Sequence, residues 1–188
     1  LAHIALGGDQ VRIRFSNVYG AAAVVLLRVR VARSQGGSAI ELSSDTRVTF
    51  QGSESVSIPP GTEVWSDRVA IRIPDGGDLA ISVYVQNAAD CTTAQRYANE
   101  VNFMAQGDFS SQPSLPVVAE NQTTQSYWMN AIGVSRSAPA KVMVVFGDSL
   151  SNGDGSTLGA NRRYLNQLFT RIRGAAIGSV SVVNAGLS

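Results

Sequence analysis

The sequence predicts a mainly β sandwich of the jelly-roll kind, followed by a short α/β segment. Two observations carry this. Residues 4–135 run as short stretches of period-two alternation broken by turn residues, and none of them has a helical period. After Ser137-Ala138-Pro139-Ala140 the pattern changes to continuous apolar runs on either side of one amphipathic stretch. The division falls near residue 138, giving a β-sandwich domain at 1–138 and an α/β segment at 139–188.

Past the opening residues, which already read as a strand, one candidate is residues 10–16, with Val11, Ile13 and Phe15 on one face and Arg12 and Arg14 on the other. The second, 24–32, alternates Arg28 and Arg30 with Val29 and Val31. Further strands are expected at 47–50, 55–58, 69–73, 78–85, 96–98 and 126–134, about eight in all. Gly7-Gly8-Asp9, Gly36-Gly37, Pro59-Pro60-Gly61 and Pro74-Asp75-Gly76-Gly77 separate them, supplying positive or fixed φ where the chain reverses. Residues 107–125, rich in Ser, Gln and Pro, read as a long surface loop, and the sequon at Asn121 within it is a tripeptide that recurs by chance.

Residues 141–146 (Lys-Val-Met-Val-Val-Phe) read as a strand buried on both faces of a parallel sheet, and 179–184 as a second. Between them a helix is expected over 162–173, with Leu165, Leu168, Phe169 and Ile172 forming one apolar stripe and Gly174 ending it. Strand, helix, strand is a βαβ unit.

Composition excludes several classes. The 188 residues carry a net charge of +1 with arginines scattered along the alternating segments, which is no nucleic-acid footprint. The longest apolar stretch, 21–27, is far short of the roughly 20 residues of a membrane span. The chain opens on Leu1 and runs directly into a strand, the pattern left when a leader is removed. Cys91 is the lone cysteine, so neither an internal disulfide framework nor a cysteine zinc site is expected, and the thiol reads as a small buried hydrophobe. No spacing of His, Cys or carboxylates suggests a metal.

The chemistry-bearing segment is Gly147-Asp148-Ser149-Leu150-Ser151-Asn152-Gly153-Asp154-Gly155, between the first apolar strand and the helix. A serine at the carboxyl end of a parallel strand can face solvent while its own N–H points toward a bound oxyanion. A serine in a Gly-rich turn is also an ordinary cap. Phosphate binding fits less well, because the spacing matches neither the dinucleotide fingerprint nor the P-loop, and no Lys follows.

Val144-Val145-Phe146-Gly147-Asp148-Ser149-Leu150 followed by Asn152-Gly153 resembles the first conserved block of the GDSL/SGNH hydrolases. Val182-Val183-Asn184-Ala185-Gly186-Leu187-Ser188 is similar to the start of the second. Asp154-Gly155-Ser156-Thr157 and Asn161-Arg162-Arg163-Tyr164 look like a subgroup of esterases found among plant-polysaccharide-degrading enzymes. In that subgroup a β-sandwich precedes the hydrolase domain, with segments like Gly7-Gly8-Asp9-Gln10-Val11-Arg12 and Ser16-Asn17-Val18-Tyr19-Gly20.

The resemblance implies that residues 139–188 hold the first βαβ unit of a flavodoxin-like, parallel-sheet hydrolase domain. It makes Ser149 the catalytic nucleophile and its backbone N–H an oxyanion donor, with Gly147 and Asp148 supporting the turn. It implies a secreted esterase without metal or cofactor, acting on carboxylic esters, with acetylated polysaccharide as the suggested substrate. The family's second-block oxyanion glycine falls just after Ser188, so Gly186 is not it, and the third-block Asn and the Asp-x-x-His have no counterpart here. A second chain or a later segment is therefore expected to complete the domain. His3, the one histidine, lies on the first strand and reads as structural. The rival reading is a carbohydrate-binding or interaction module, with Trp65, Tyr97, Tyr127 and Trp128 stacking on sugars, or a domain that shapes an esterase's cleft.

Overall fold

The computed structural model describes residues 1–86, 92–116, 118–175 and 177–187, so Cys91 and Ser188 lie outside the described residues. Its strands, in chain order, are β1 Ala2–Ile4, β2 Gly8–Ser16, β3 Val24–Gly36, β4 Ala39–Ile40, β5 Thr46–Val48, β6 Val56–Ile58, β7 Glu63–Trp65, β8 Val69–Ile73 and β9 Gly77–Val85. The two-residue strands β10 Ala94–Gln95, β11 Asn102–Phe103, β12 Gln122–Thr123 and β13 Ser126–Tyr127 follow, then β14 Met129–Ser135 and β15 Lys141–Gly147. The chain continues through α1 Ser149–Asn152 and α2 Tyr164–Gly174 to β16 Val180–Gly186. Strand dominates, and the sheets of the first 135 residues are antiparallel, consistent with a β-sandwich.

One sheet is built on β3, which pairs with β9 along one edge and with β5 and β6 along the other, while β1 extends it beyond β9. The second is built on β2, flanked by β14 on one side and by β7 and β8 on the other. Their inner faces share one core containing Val11, Ile13 and Phe15 from β2 and Val24, Leu26, Val29 and Val31 from β3. The phase of β3 jumps between Leu26 and Val29 because its pairing with β9 shifts register between Leu26 and Arg28, a β-bulge that keeps valines inward and arginines outward.

Several sequence expectations change. The strand expected at 126–134 is broken at Trp128, whose φ is +57°, and the strand expected at 96–98 is replaced by the two-residue β10 upstream of it. Gly7 and Gly8 do not supply positive φ; a Cβ at Gly7 would sit 2.0 Å from the Ile73 carbonyl oxygen and one at Gly8 2.3 Å from that of Ser135. Close backbone approach is what demands glycine there. Asn17 is fully buried and donates to the carbonyls of Ala22 and Ile58 at 2.8 and 2.9 Å, which pins the turn through Gly20. Within the long loop, the Asn121 side chain closes a turn, donating to the Pro116 carbonyl at 2.6 Å.

β15 and β16 pair in parallel from Lys141↔Val180 to Gly147↔Gly186, with α1 and α2 between them in the chain. α2 starts at Tyr164, two residues later than expected, and packs on β16 with Leu165, Phe169 and Ile172 buried and Leu168 half-buried. Gly174 is its last residue rather than a left-handed cap; the Ala175 N–H bonds back to the Arg171 carbonyl, and Arg171 and Arg173 sit at the negative end of the helix. β15 is not buried on both faces. Val142, Val144 and Phe146, which alternate onto one face, are 64%, 46% and 80% exposed. Burial on both faces requires a layer on each side, and none of the described residues forms the second one. No helix among the described residues is long and apolar enough to cross a membrane.

Candidate active site

The turn after β15 is shaped by two glycines opposite each other in the ladder. A Cβ at Gly147 would lie 2.0 Å from the Ser151 hydroxyl oxygen, and one at Gly186 would lie 2.3 Å from the Asn152 amide nitrogen. Their bare backbones let α1 settle directly on the ends of the two strands. Replacing Gly186 with alanine is therefore expected to push α1 off the sheet and destabilise the fold by about 1–3 kcal/mol. Thermal denaturation beside Gly155→Ala, a position with positive φ but open space, separates overpacking from loss of backbone freedom.

Asp148 precedes the helix in extended backbone (φ −91°, ψ −157°), and its carboxylate accepts the Leu150 N–H at 3.0 Å. This is an N-cap, typically contributing about 1 kcal/mol. Ser149 is the first residue of the single helical turn, half-buried between the exposed Asp148 and Leu150. Its hydroxyl makes no hydrogen bond to the described residues, and its N–H, in the first turn, has no intrahelical acceptor. Gly153, at φ +119°, closes the turn by donating to the Ser149 carbonyl at 2.9 Å. Gly147, Asp148 and Ser149 thus form one compact unit with an unspent hydroxyl on its outer side. The Gly186 N–H, by contrast, is held by the Asn184 side-chain oxygen at 2.9 Å.

The inner side of the turn is anchored to the sandwich, a role the sequence reading does not assign. Asn152 is 3% exposed; its side chain accepts from Gln95 Nε2 and donates to the Tyr97 carbonyl, both at 3.0 Å. Asn99, in left-handed backbone at φ +54°, reaches the Ser156 hydroxyl at 2.6 Å, and its carbonyl accepts from Gly159 N–H. Arg163 bonds to the Ala98 carbonyl. The available signal was the Asn-Gly pair at 152–153, since a polar residue inside a Gly-rich turn has to find partners when buried.

The junction is electrostatically tense. Burial pushes the Glu100 carboxyl up, with Arg163 opposing, and burial pulls Arg163 down, with Glu100 opposing. His3 belongs here. Its Nδ1 lies 2.7 Å from Asp78 Oδ1, its register partner on β9, and Asn161 also approaches that carboxylate at 3.4 Å. No hydrogen bond or ion pair joins His3 to Ser149.

The four aromatics of the rival reading do not assemble into one platform. Trp128 is 7% exposed and sits in the core, in contact with Tyr127, whereas Trp65 lies on the outer face between the guanidinium groups of Arg12 and Arg14. Tyr97 is exposed beside the Asn152 anchor.

No protein-family model matches the chain, and no curated protein matches it in sequence.

Proposed function

We propose that this chain carries the nucleophile of a serine esterase of the GDSL/SGNH type, acting on carboxylic esters through an acyl-Ser149 intermediate. The observation behind the proposal is the unbonded, half-exposed Ser149 hydroxyl on a capped turn at the carboxyl end of a parallel strand. An imidazole removes the Ser149 proton, and Oγ attacks the ester carbonyl. The tetrahedral oxyanion is held by the Ser149 N–H, and its collapse expels the alcohol, which takes the proton back from the imidazole. Water then attacks the acyl-serine and releases the acid.

His3 makes no hydrogen bond to Ser149, and its pairing with Asp78 joins β1 to β9, so in this reading the base and the remaining oxyanion donors are supplied by a second chain or a later segment. The uncovered face of β15 is where that layer would pack, completing a flavodoxin-like sheet beside a jelly-roll-like sandwich. Acetylated polysaccharide in an extracellular setting is the substrate context that goes with the family resemblance.

The test is acetate release from acetylated xylan and from p-nitrophenyl acetate by the protein expressed from its full gene. Turnover of either is expected. Absence of turnover together with measurable glycan affinity would instead make the sandwich a binding module.

A further inference from the structure

The serine turn is held from the sandwich side by one short segment, residues 95–99. Gln95 Nε2 donates to Asn152 Oδ1 at 3.0 Å, and the Tyr97 carbonyl accepts from Asn152 Nδ2 at the same distance. The Ala98 carbonyl accepts from the Arg163 guanidinium, and Asn99 Nδ2 donates to the Ser156 hydroxyl at 2.6 Å. Asn152 is where these bonds reach Ser149. Its own N–H closes α1 on the Asp148 carbonyl at 3.0 Å, and Asn184 Nδ2 of β16 approaches its carbonyl at 3.4 Å. The residue is 3% exposed, lies against Gly186 and ends the single turn that Ser149 begins. One helical turn has too few backbone bonds to hold its own pitch, so the bonds on Asn152 set where the Ser149 hydroxyl stands.

Gln95 in turn has a rigid base. The Ser16 N–H at the end of β2 donates to the Trp128 carbonyl at 2.7 Å, and the Trp128 N–H donates to the Thr93 carbonyl at 2.9 Å. Ser16, Trp128 and Thr93 are all buried. Trp128 makes both bonds from left-handed backbone at φ +57°, so the interruption between β13 and β14 is a bridge from the sandwich core to the strand that carries Gln95. Two residues on from Thr93, Gln95 is in register with Ser126 across β10 and β13.

We propose that Gln95 is a positioning residue for Ser149, and that the sandwich is a working part of the esterase rather than a module tethered to it, an assignment that rests on Ser149 being the nucleophile. Gln95 acts through Asn152. The Tyr97 carbonyl can only accept, so it turns the amide nitrogen of Asn152 toward itself and Oδ1 toward Gln95, where only a donor completes the pair. Losing that donor frees one side of Asn152 and with it the end of the turn, and a nucleophile held off its line of attack reacts more slowly.

The experiment compares the protein expressed from its full gene with its Gln95→Ala, Gln95→Glu and Ser149→Ala variants, by the second-order rate of fluorophosphonate labelling, kcat/KM on p-nitrophenyl acetate and a thermal melt. Gln95 is exposed, so both of its replacements are expected to fold. Labelling and kcat/KM of Gln95→Ala are expected to fall together by about fivefold, the size of one net hydrogen bond. At about pH 7.5 Gln95→Glu is expected to match Gln95→Ala, because a carboxylate only accepts. Toward about pH 5 its rates relative to wild type are expected to recover in part while those of Gln95→Ala do not, since the neutral acid again offers Asn152 Oδ1 a donor. A contact that only supports the fold would not restore the labelling rate in this way. Unchanged labelling with a lowered melting temperature, or no recovery in Gln95→Glu, overturns the proposal and leaves Ser149 in place. Labelling and turnover that survive Ser149→Ala overturn the reading beneath it and the proposal with it.

Discussion

Ser149→Ala is expected to lower ester hydrolysis by the completed protein by on the order of 10⁴–10⁶-fold, as loss of a nucleophile that acts jointly with its base does. The melting temperature should hold within about a degree, because the missing oxygen makes no hydrogen bond to the described residues and leaves the Asp148 cap in place. Both halves matter: a functional group costs activity and little stability, whereas a cap or turn residue does the reverse. Asp148→Ala supplies the opposite pattern at the adjacent position, losing about 1 kcal/mol of stability with its cap. Steady-state kinetics on p-nitrophenyl acetate and a thermal melt of each variant make the comparison. Retained turnover in Ser149→Ala with a lowered melting temperature would make Ser149 a structural residue.

The largest stability effect is expected at Phe15. This side chain is fully buried in β2 and meets Phe50 edge to face with ring centroids 5.9 Å apart, an angle of 62° between the planes. Phe15→Ala removes the largest fully buried side chain of the core and leaves a cavity against β2, whose backbone is held by β14, β7 and β8. The site cannot collapse freely, so the cost is expected at about 3–5 kcal/mol. That is a large share of the 5–15 kcal/mol typical of a domain, and the urea midpoint should fall with the slope preserved. A change in slope, or a loss below about 1 kcal/mol, would mean that the two sheets do not share one core. Val18→Ala, at a position 43% exposed, serves as the surface control, with an effect within about 0.5 kcal/mol.

What could be read from the sequence follows from how local each signal is. The alternation at Val11, Ile13 and Phe15 is a period-two pattern with one buried face, and the strand formed as expected. The α2 stripe is equally local, and Leu165, Phe169 and Ile172 are buried. Long-range events were invisible. The break at Trp128 interrupts a stretch that reads as one strand, and the backbone contact that demands Gly186 comes from Asn152, 34 positions earlier. The error at β15 has another cause: an apolar run signals that burial is required, but it does not say what supplies the cover.

The same division holds at the candidate site. Gly147, Asp148 and Ser149 are neighbours in sequence, so their geometry follows from strand, cap and turn chemistry. The anchor through Asn152, Gln95 and Tyr97 crosses more than fifty residues and has no local signature. The chain's one histidine is paired with Asp78 as a catalytic base would be, yet it makes no hydrogen bond to Ser149, which shows why a residue type that suits catalysis is not evidence of a base until it reaches the nucleophile.

The most direct measurement is covalent: treat the protein expressed from its full gene with a fluorophosphonate and map the modified peptide by mass spectrometry. A single adduct on Ser149, formed more slowly when excess ester substrate is present during labelling, is the expected result. Labelling at any other serine, or none while the protein still turns over esters, would contradict the assignment of Ser149 as nucleophile.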